Sequence, residues 1–115
     1  MLGFWLSKLS MNETKFLDLT DRILETLQEA LEKTDLAIDY EFNEGVLRIF
    51  FDKNNEIVVN RHIPTRELWV AARQGAFHFA WQENDKWLDT RSGSEFFATL
   101  AMLFSTIIGK AFVFR

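Results

Sequence analysis

A chain of 115 residues, 48% hydrophobic and without cysteine, is sized for one folded core and excludes disulfide scaffolds, thiolate metal sites, cysteine-ligated clusters and cysteine nucleophiles. The formal net charge of −4 disfavours nucleic acid as a partner, because phosphate binding needs positive surface. That total hides a segregation: residues 11–44 hold ten acids against three bases, giving −7, while residues 1–10 carry +1 and residues 45–115 carry +2.

The first ten residues, Met1-Leu-Gly-Phe-Trp-Leu-Ser-Lys-Leu-Ser10, are apolar but lack a basic leader and a small-residue cleavage site. They read as an N-terminal extension rather than a signal peptide. A helix follows, with Ser10-x-x-Glu13 as a capping box and Asn12 as the alternative cap, ending near Lys33 to Asp35. Phe16, Leu19, Ile23, Leu27, Ala30 and Leu31 recur at helical spacing and form its expected buried face. The period then changes to two. Ile38, Tyr40 and Phe42 alternate with Ala37, Asp39 and Glu41, and Asn43-Glu44-Gly45 is a turn. Val46 to Phe51 is a second strand with Leu47, Ile49 and Phe51 inside, and Asp52 to Asn55 is the next turn. Further strands are expected at Ile57 to Arg61, Leu68 to Ala72, Phe77 to Trp81 and Trp87-Leu88, with Pro64 and Gly75 in the connections. All connections are short, so the strands form an antiparallel meander. Ser92-x-x-Glu95 reads as a second capping box, opening a helix from about Gly93 to Ile108 that Gly109 stops. Lys110 to Arg115 is an extended tail. The fold class is α+β: a two-layer sandwich with an antiparallel sheet of five to six strands and the N- and C-terminal helices on one face. The longest apolar run, Ala98 to Ile108, has 11 residues, short of the roughly 18 that a membrane span needs.

Two constellations carry chemistry. On a helical wheel, Asp18, Asp21, Glu25, Glu29 and Glu32 share an arc of about 80° that contains no base. Like charges at i,i+3 and i,i+4 cost a few tenths of a kcal/mol each, roughly, so the stripe lowers helix stability. Bare carboxylates suit hard cations, and a convex helix face leaves each ion several waters, so binding is expected to be weak and open to several divalent ions. A basic protein surface is the other candidate partner, which makes the chain an acidic interaction module with incidental metal binding. Asp35, Asp39 and Glu41 extend the ridge along the chain. On the sheet, alternation puts Asn60, Trp69 and His78 on adjacent strands of one open face, with Arg61 and Arg73 as its expected borders. His62 and His78 are read as separate surface histidines rather than a ligand pair.

The segments Met11-Asn-Glu-Thr-Lys-Phe16, Gly45-Val-Leu47, Val58-Val-Asn-Arg61, Leu68-Trp-Val-Ala71, Gln74-Gly-Ala-Phe-His-Phe79, Trp87, Arg91-Ser-Gly93 and Phe114-Arg115 together resemble the bacterial frataxin (CyaY) family. The resemblance runs from Met11 to Arg115, which makes 11–115 one frataxin-like domain behind the extension 1–10. It implies a non-enzyme that binds ferrous or ferric iron weakly on the first helix and first strand, with ferroxidase activity left open. It also implies docking on the cysteine desulfurase and scaffold machinery of iron–sulfur cluster assembly in the cytoplasm. Position by position, the ridge maps to Asp21, Glu29 and Glu32 with Glu13 near its start, continued by Asp35, Asp39 and Glu41. Asn60, Trp69 and His78 map to partner-facing positions, and Glu29, Glu32 and Arg61 are expected to bind the partner with them. Gln28 and Lys33 stand where acids are common in enterobacterial members, and Leu17 replaces a histidine, while Asp18 and Glu25 add carboxylates to the same arc. The second helix carries no charge, so Leu2, Phe4, Trp5 and Leu6, or a second chain, are expected to cover its outer face. The expected state is a monomer that associates through metal or through that helix.

Overall fold

The computed structural model describes residues 11–52 and 54–114. Helix α1 spans Glu13–Lys33 and helix α2 spans Phe96–Ile108. Between them run β1 (Asp39–Asn43), β2 (Val46–Asp52), β3 (Asn55–His62), β4 (Glu67–Ala72), β5 (Gly75–Gln82) and β6 (Lys86–Asp89), paired in sequence order and antiparallel throughout. The expected α+β sandwich is therefore present with six strands. Leu47, Ile49, Ile57, Val59, Leu68, Val70 and Phe79 line the inner face of the sheet and form one core with Phe16, Leu24, Leu27, Phe96, Leu100 and Phe104 from the helices. Ring contacts fix the helix paths. Phe16 meets Trp87 of β6 near the start of α1, and Tyr40 of β1 bonds Glu32 near its end. Phe96 meets Phe79 of β5, and Phe104 meets Phe51 of β2. Both helices thus cross the sheet from its β5–β6 side toward β1 and β2.

Three expectations change. The cap of α1 is Asn12, whose side chain accepts the Lys15 N–H at 2.8 Å; Ser10 lies outside the described residues. The buried stripe of α1 is Phe16, Thr20, Leu24, Leu27 and Leu31, with Leu19, Ile23 and Ala30 only half-buried on its flank. Thr20 is tolerated inside because its hydroxyl donates to the Phe16 carbonyl at 2.8 Å. Helix α2 starts at Phe96, not Gly93, because Asp89 takes the Ser92 N–H and hydroxyl, at 2.9 and 2.8 Å. Glu95 itself caps the helix, accepting from the N–H groups of Phe97 and Ala98.

The tail packs along one flank of α2: Phe114 lies on Phe97 and Phe104 with centroids 5.6 and 5.1 Å apart, and Phe112 lies 4.9 Å from Phe104. The Phe112 N–H anchors the tail by donating to the Ser105 hydroxyl oxygen at 3.0 Å. The surface left open on α2 is Ala98, Met102 and Thr106. Leu2, Phe4, Trp5 and Leu6 lie outside the described residues.

Candidate functional site

The acidic ridge starts from the rotation of α1. With the buried stripe centred between Thr20 and Leu24, the carboxylates of Asp18, Asp21, Glu25, Glu29 and Glu32 all reach solvent, but not equivalently. Asp21 and Glu32 lie on the edge of the arc nearest Leu24 and Leu31, so they meet the sheet. Asp21 forms an ion pair with Arg61 of β3. Glu32 accepts the Tyr40 hydroxyl, and that hydrogen bond, helped by slight burial and the carboxylate's charge, holds the tyrosine above its ordinary pKa. Asp18, Glu25 and Glu29 have no ion pair among the described residues. Cβ atoms three or four residues apart on a helix lie about 5–6 Å from one another, so successive carboxylates can share a hydrated ion without enclosing it. No group of three His, Asp or Glu side chains among the described residues converges as a closed metal cage. The donor set fits a hard, hydrated cation held loosely as cargo.

The extension of this ridge onto the strand divides. Asp35 is exposed just beyond the helix. Glu41 faces Arg48 across β1 and β2 and pairs with it at 3.4 Å, while Arg48 also holds Glu56 at 2.6 Å. By strand alternation Asp39 shares that outer face, whereas Tyr40 points to the helix layer. Asp39 and Glu41 are thus separated from the α1 carboxylates by the thickness of the sheet.

Arg61 corrects the reading of the sheet face. It follows the inward period of Val59, and its guanidinium reaches Asp21 and the Thr20 hydroxyl oxygen, the latter at 3.4 Å. It does not border Trp69. Nor does Arg73, in the turn after β4. It acts on Asp52, whose carboxyl is held below its ordinary pKa first by the Asn54 N–H, then by the Asn55 amide. Arg61 instead lies across Gly45. A Cβ there would sit 2.9 Å from the arginine Nε, and the backbone has φ +80°, where side chains are strained. Gly45→Ala is expected to cost about 1–3 kcal/mol and to loosen the Arg61–Asp21 pair, measurable by urea denaturation and by the Asp21 amide resonance.

The open face of the sheet is built around Trp69. Asn60 and His78 are its register partners on β3 and β5, as alternation implies. The histidines are not separate. His62 stacks on the indole at 3.7 Å with planes 9° apart, and His78 stacks at 4.3 Å and 11°. Glu67 explains why a residue diagonal to Trp69 is in contact. Its carboxylate accepts the indole N–H at 2.9 Å and tips the ring along β4 toward position 67, whose cross-strand partner is His62. Glu67 is only 5% exposed although it lies on the outer face. With both ring faces occupied, Trp69 offers a partner its edge and leaves no free face for a stacked base. Sequence reading missed Glu67 and the role of His62. The i,i+2 spacing of Glu67 and Trp69 was the available signal, since it puts both side chains on one face.

Among the described residues no helix is long and apolar enough to cross a membrane. A family model described as a frataxin-like domain matches residues 9–110. The iron-sulfur cluster assembly protein CyaY of Dechloromonas aromatica is 41% identical over 106 residues, covering 91% of this chain and 100% of its own length. The frataxin of Psychromonas ingrahamii superposes with a TM-score of 0.83 at 28% identity, covering 91% of this chain and 99% of that one. Trimeric frataxin from the yeast Saccharomyces cerevisiae, complexed with ferrous iron, superposes with a TM-score of 0.64 at 25% identity, covering 88% of this chain and 89% of that one.

Proposed function

This chain belongs to the frataxin-like family, and from that premise we propose that it serves iron–sulfur cluster assembly by carrying iron on α1 and docking on the cysteine desulfurase complex. The observation that supports the iron reading most directly is the row of carboxylates at Asp18, Glu25 and Glu29, without an ion pair among the described residues and exposed on one helix face with no interleaved base. Oxygen ligands on a convex surface suit ferrous or ferric iron as a labile hydrated ion, and they discriminate poorly against other hard divalent cations. Asp21 and Glu32, restrained by Arg61 and Tyr40, mark the sheet-side edge of the same site, and Asp35 lies beyond its C-terminal end. A partly hydrated ion retains positions for carboxylates of a second copy, so association of copies on iron loading belongs to the same reading; the related yeast protein was solved as a trimer with ferrous iron. Glu29 and Glu32 on the ridge, with Asn60, Trp69 and His78 on the sheet, form the docking surface. Arg61 acts there only through Asp21. Asp39 and Glu41 contribute as a second carboxylate group on the outer sheet face, apart from the ridge.

The test is the triple variant Asp18→Asn, Glu25→Gln, Glu29→Gln, with two readouts. Ferrous affinity measured by calorimetry under anaerobic conditions is expected to fall at least about tenfold, because three of the ridge's five charges are lost. Desulfurase binding, measured separately without iron, is expected to weaken less. Unchanged iron binding with lost desulfurase binding would instead establish the acidic interaction module.

A further inference from the structure

The His62–Trp69–His78 stack brings two imidazoles to opposite sides of one indole, from the strands flanking β4. Histidine is the side chain whose charge ordinarily changes between about pH 5 and 8. A neutral imidazole on an indole is a π-stack, and a protonated one is a cation over an electron-rich face, which is attracted more strongly. Protonation here needs no rearrangement. The His62 Nδ1 lies 2.8 Å from the Thr65 hydroxyl, a contact that an imidazolium keeps as donor, so the ring can charge while it stays stacked. Two carboxylates are bonded to the strands that carry the stack. Glu67 on β4 accepts the indole N–H, and Asp89 of β6 accepts the His78 backbone N–H. Arg66, next to Glu67 in sequence, donates to the Ile63 carbonyl.

We infer that the stack is a proton-responsive element, through which His62 and His78 make the Trp69 docking face more positive and more firmly ordered as pH falls. The part of the partner protein that meets the stack is then acidic, the chemistry that complements one or two added positive charges. Glu67 is a positioning residue, holding the indole where both histidines reach it. This inference rests on the reading of the Trp69 face as a docking surface, and the two are tested separately. In the free 15N-labelled protein, the Trp69 indole N–H resonance is expected to move continuously between pH 8 and pH 5.5. The movement should vanish in the His62→Gln/His78→Gln variant and shrink by about half in His62→Gln alone. An indole signal that ignores pH, or that moves equally in the double variant, overturns the proton-responsive stack. Affinity for the purified desulfurase is expected to rise about three- to tenfold from pH 8 to pH 6 for the native protein, and less than about twofold for the double variant. Equal pH dependence in both proteins also overturns the switch. Absence of binding at every pH overturns the docking reading instead, and the indole titration still decides whether the stack responds to protons.

Discussion

Replacing Asp89 with alanine is expected to destabilise the protein by about 3–5 kcal/mol, the largest effect of any single polar substitution described here. Its carboxylate is 4% exposed and accepts the His78 N–H at 3.1 Å, the Ser92 N–H at 2.9 Å and the Ser92 hydroxyl at 2.8 Å. Alanine leaves the His78 and Ser92 N–H groups and the Ser92 hydroxyl without this acceptor; a buried orphan costs about 1–3 kcal/mol, and less at Ser92, which water reaches. The effect reaches beyond the local turn, because Asp89 ties β5 to the connection that launches α2. Asparagine keeps one acceptor oxygen but turns a donor toward donors, so an intermediate loss is expected. The pH dependence follows from the same contacts. Burial pushes the Asp89 carboxyl up, but donors from Ser92, His78 and Arg91 outweigh it and hold the group below its ordinary value. A folded-state pKa below the unfolded one gives stability that is present above about pH 4 and is lost as pH falls through the folded value. Urea midpoints between pH 7 and pH 2.5 should therefore fall in acid for the native protein, and fall less steeply for Asp89→Asn. The slope should not vanish, because Asp52 is depressed as well. A pH profile identical in both proteins would refute this account of Asp89.

Ending the chain at Gly109 is expected to cost about 3–5 kcal/mol and to promote self-association. The residues removed include Phe112 and Phe114, each half-buried and each in contact with Phe104. Half-burial of two phenylalanines is worth about 2–3 kcal/mol, and their edge-on and tilted ring contacts add about 0.5–1.5 kcal/mol per pair at most. Loss of the tail uncovers an uncharged helix, and exposed apolar surface of that kind drives association. The gentler variants Phe112→Ala and Phe114→Ala should each lose about 1–3 kcal/mol without a change in oligomeric state. Denaturant midpoints and sedimentation measure both effects. A truncated chain as stable as the native one and no more associated would show that the tail does not close the hydrophobic layer.

Local periodicity made much of this protein legible from its sequence. The change from a period near 3.6 to a period of two located α1 and the six strands, and short connections dictated the meander. The same alternation placed Asn60, Trp69 and His78 on one face, and the helical repeat placed five carboxylates on one arc. These properties are encoded over a few residues, so a reading of neighbours recovers them. Arg61 was also legible in part: it shares the inward period of Val59, and its charge drew the reading away from the pattern.

The tertiary structure decided what depends on rotation, register and distant closure. Asp21 and Arg61 are forty positions apart, and their pairing follows from how α1 is rolled on the sheet. That same roll separates tethered carboxylates from free ones within a stripe that looks uniform in sequence. The stacking of His62 with Trp69 follows from strand register together with the tilt that Glu67 gives the indole. Whether Ser92 caps a helix depended on Asp89 reaching it first, and what packs along the flank of α2 depended on a tail returning to Phe97 and Phe104. In each case the interaction energy lies between segments whose separation no local pattern specifies. The acidic stripe and the outward-facing tryptophan were therefore determined by the sequence alone, while folding determined which carboxylates the sheet tethers and what holds the indole.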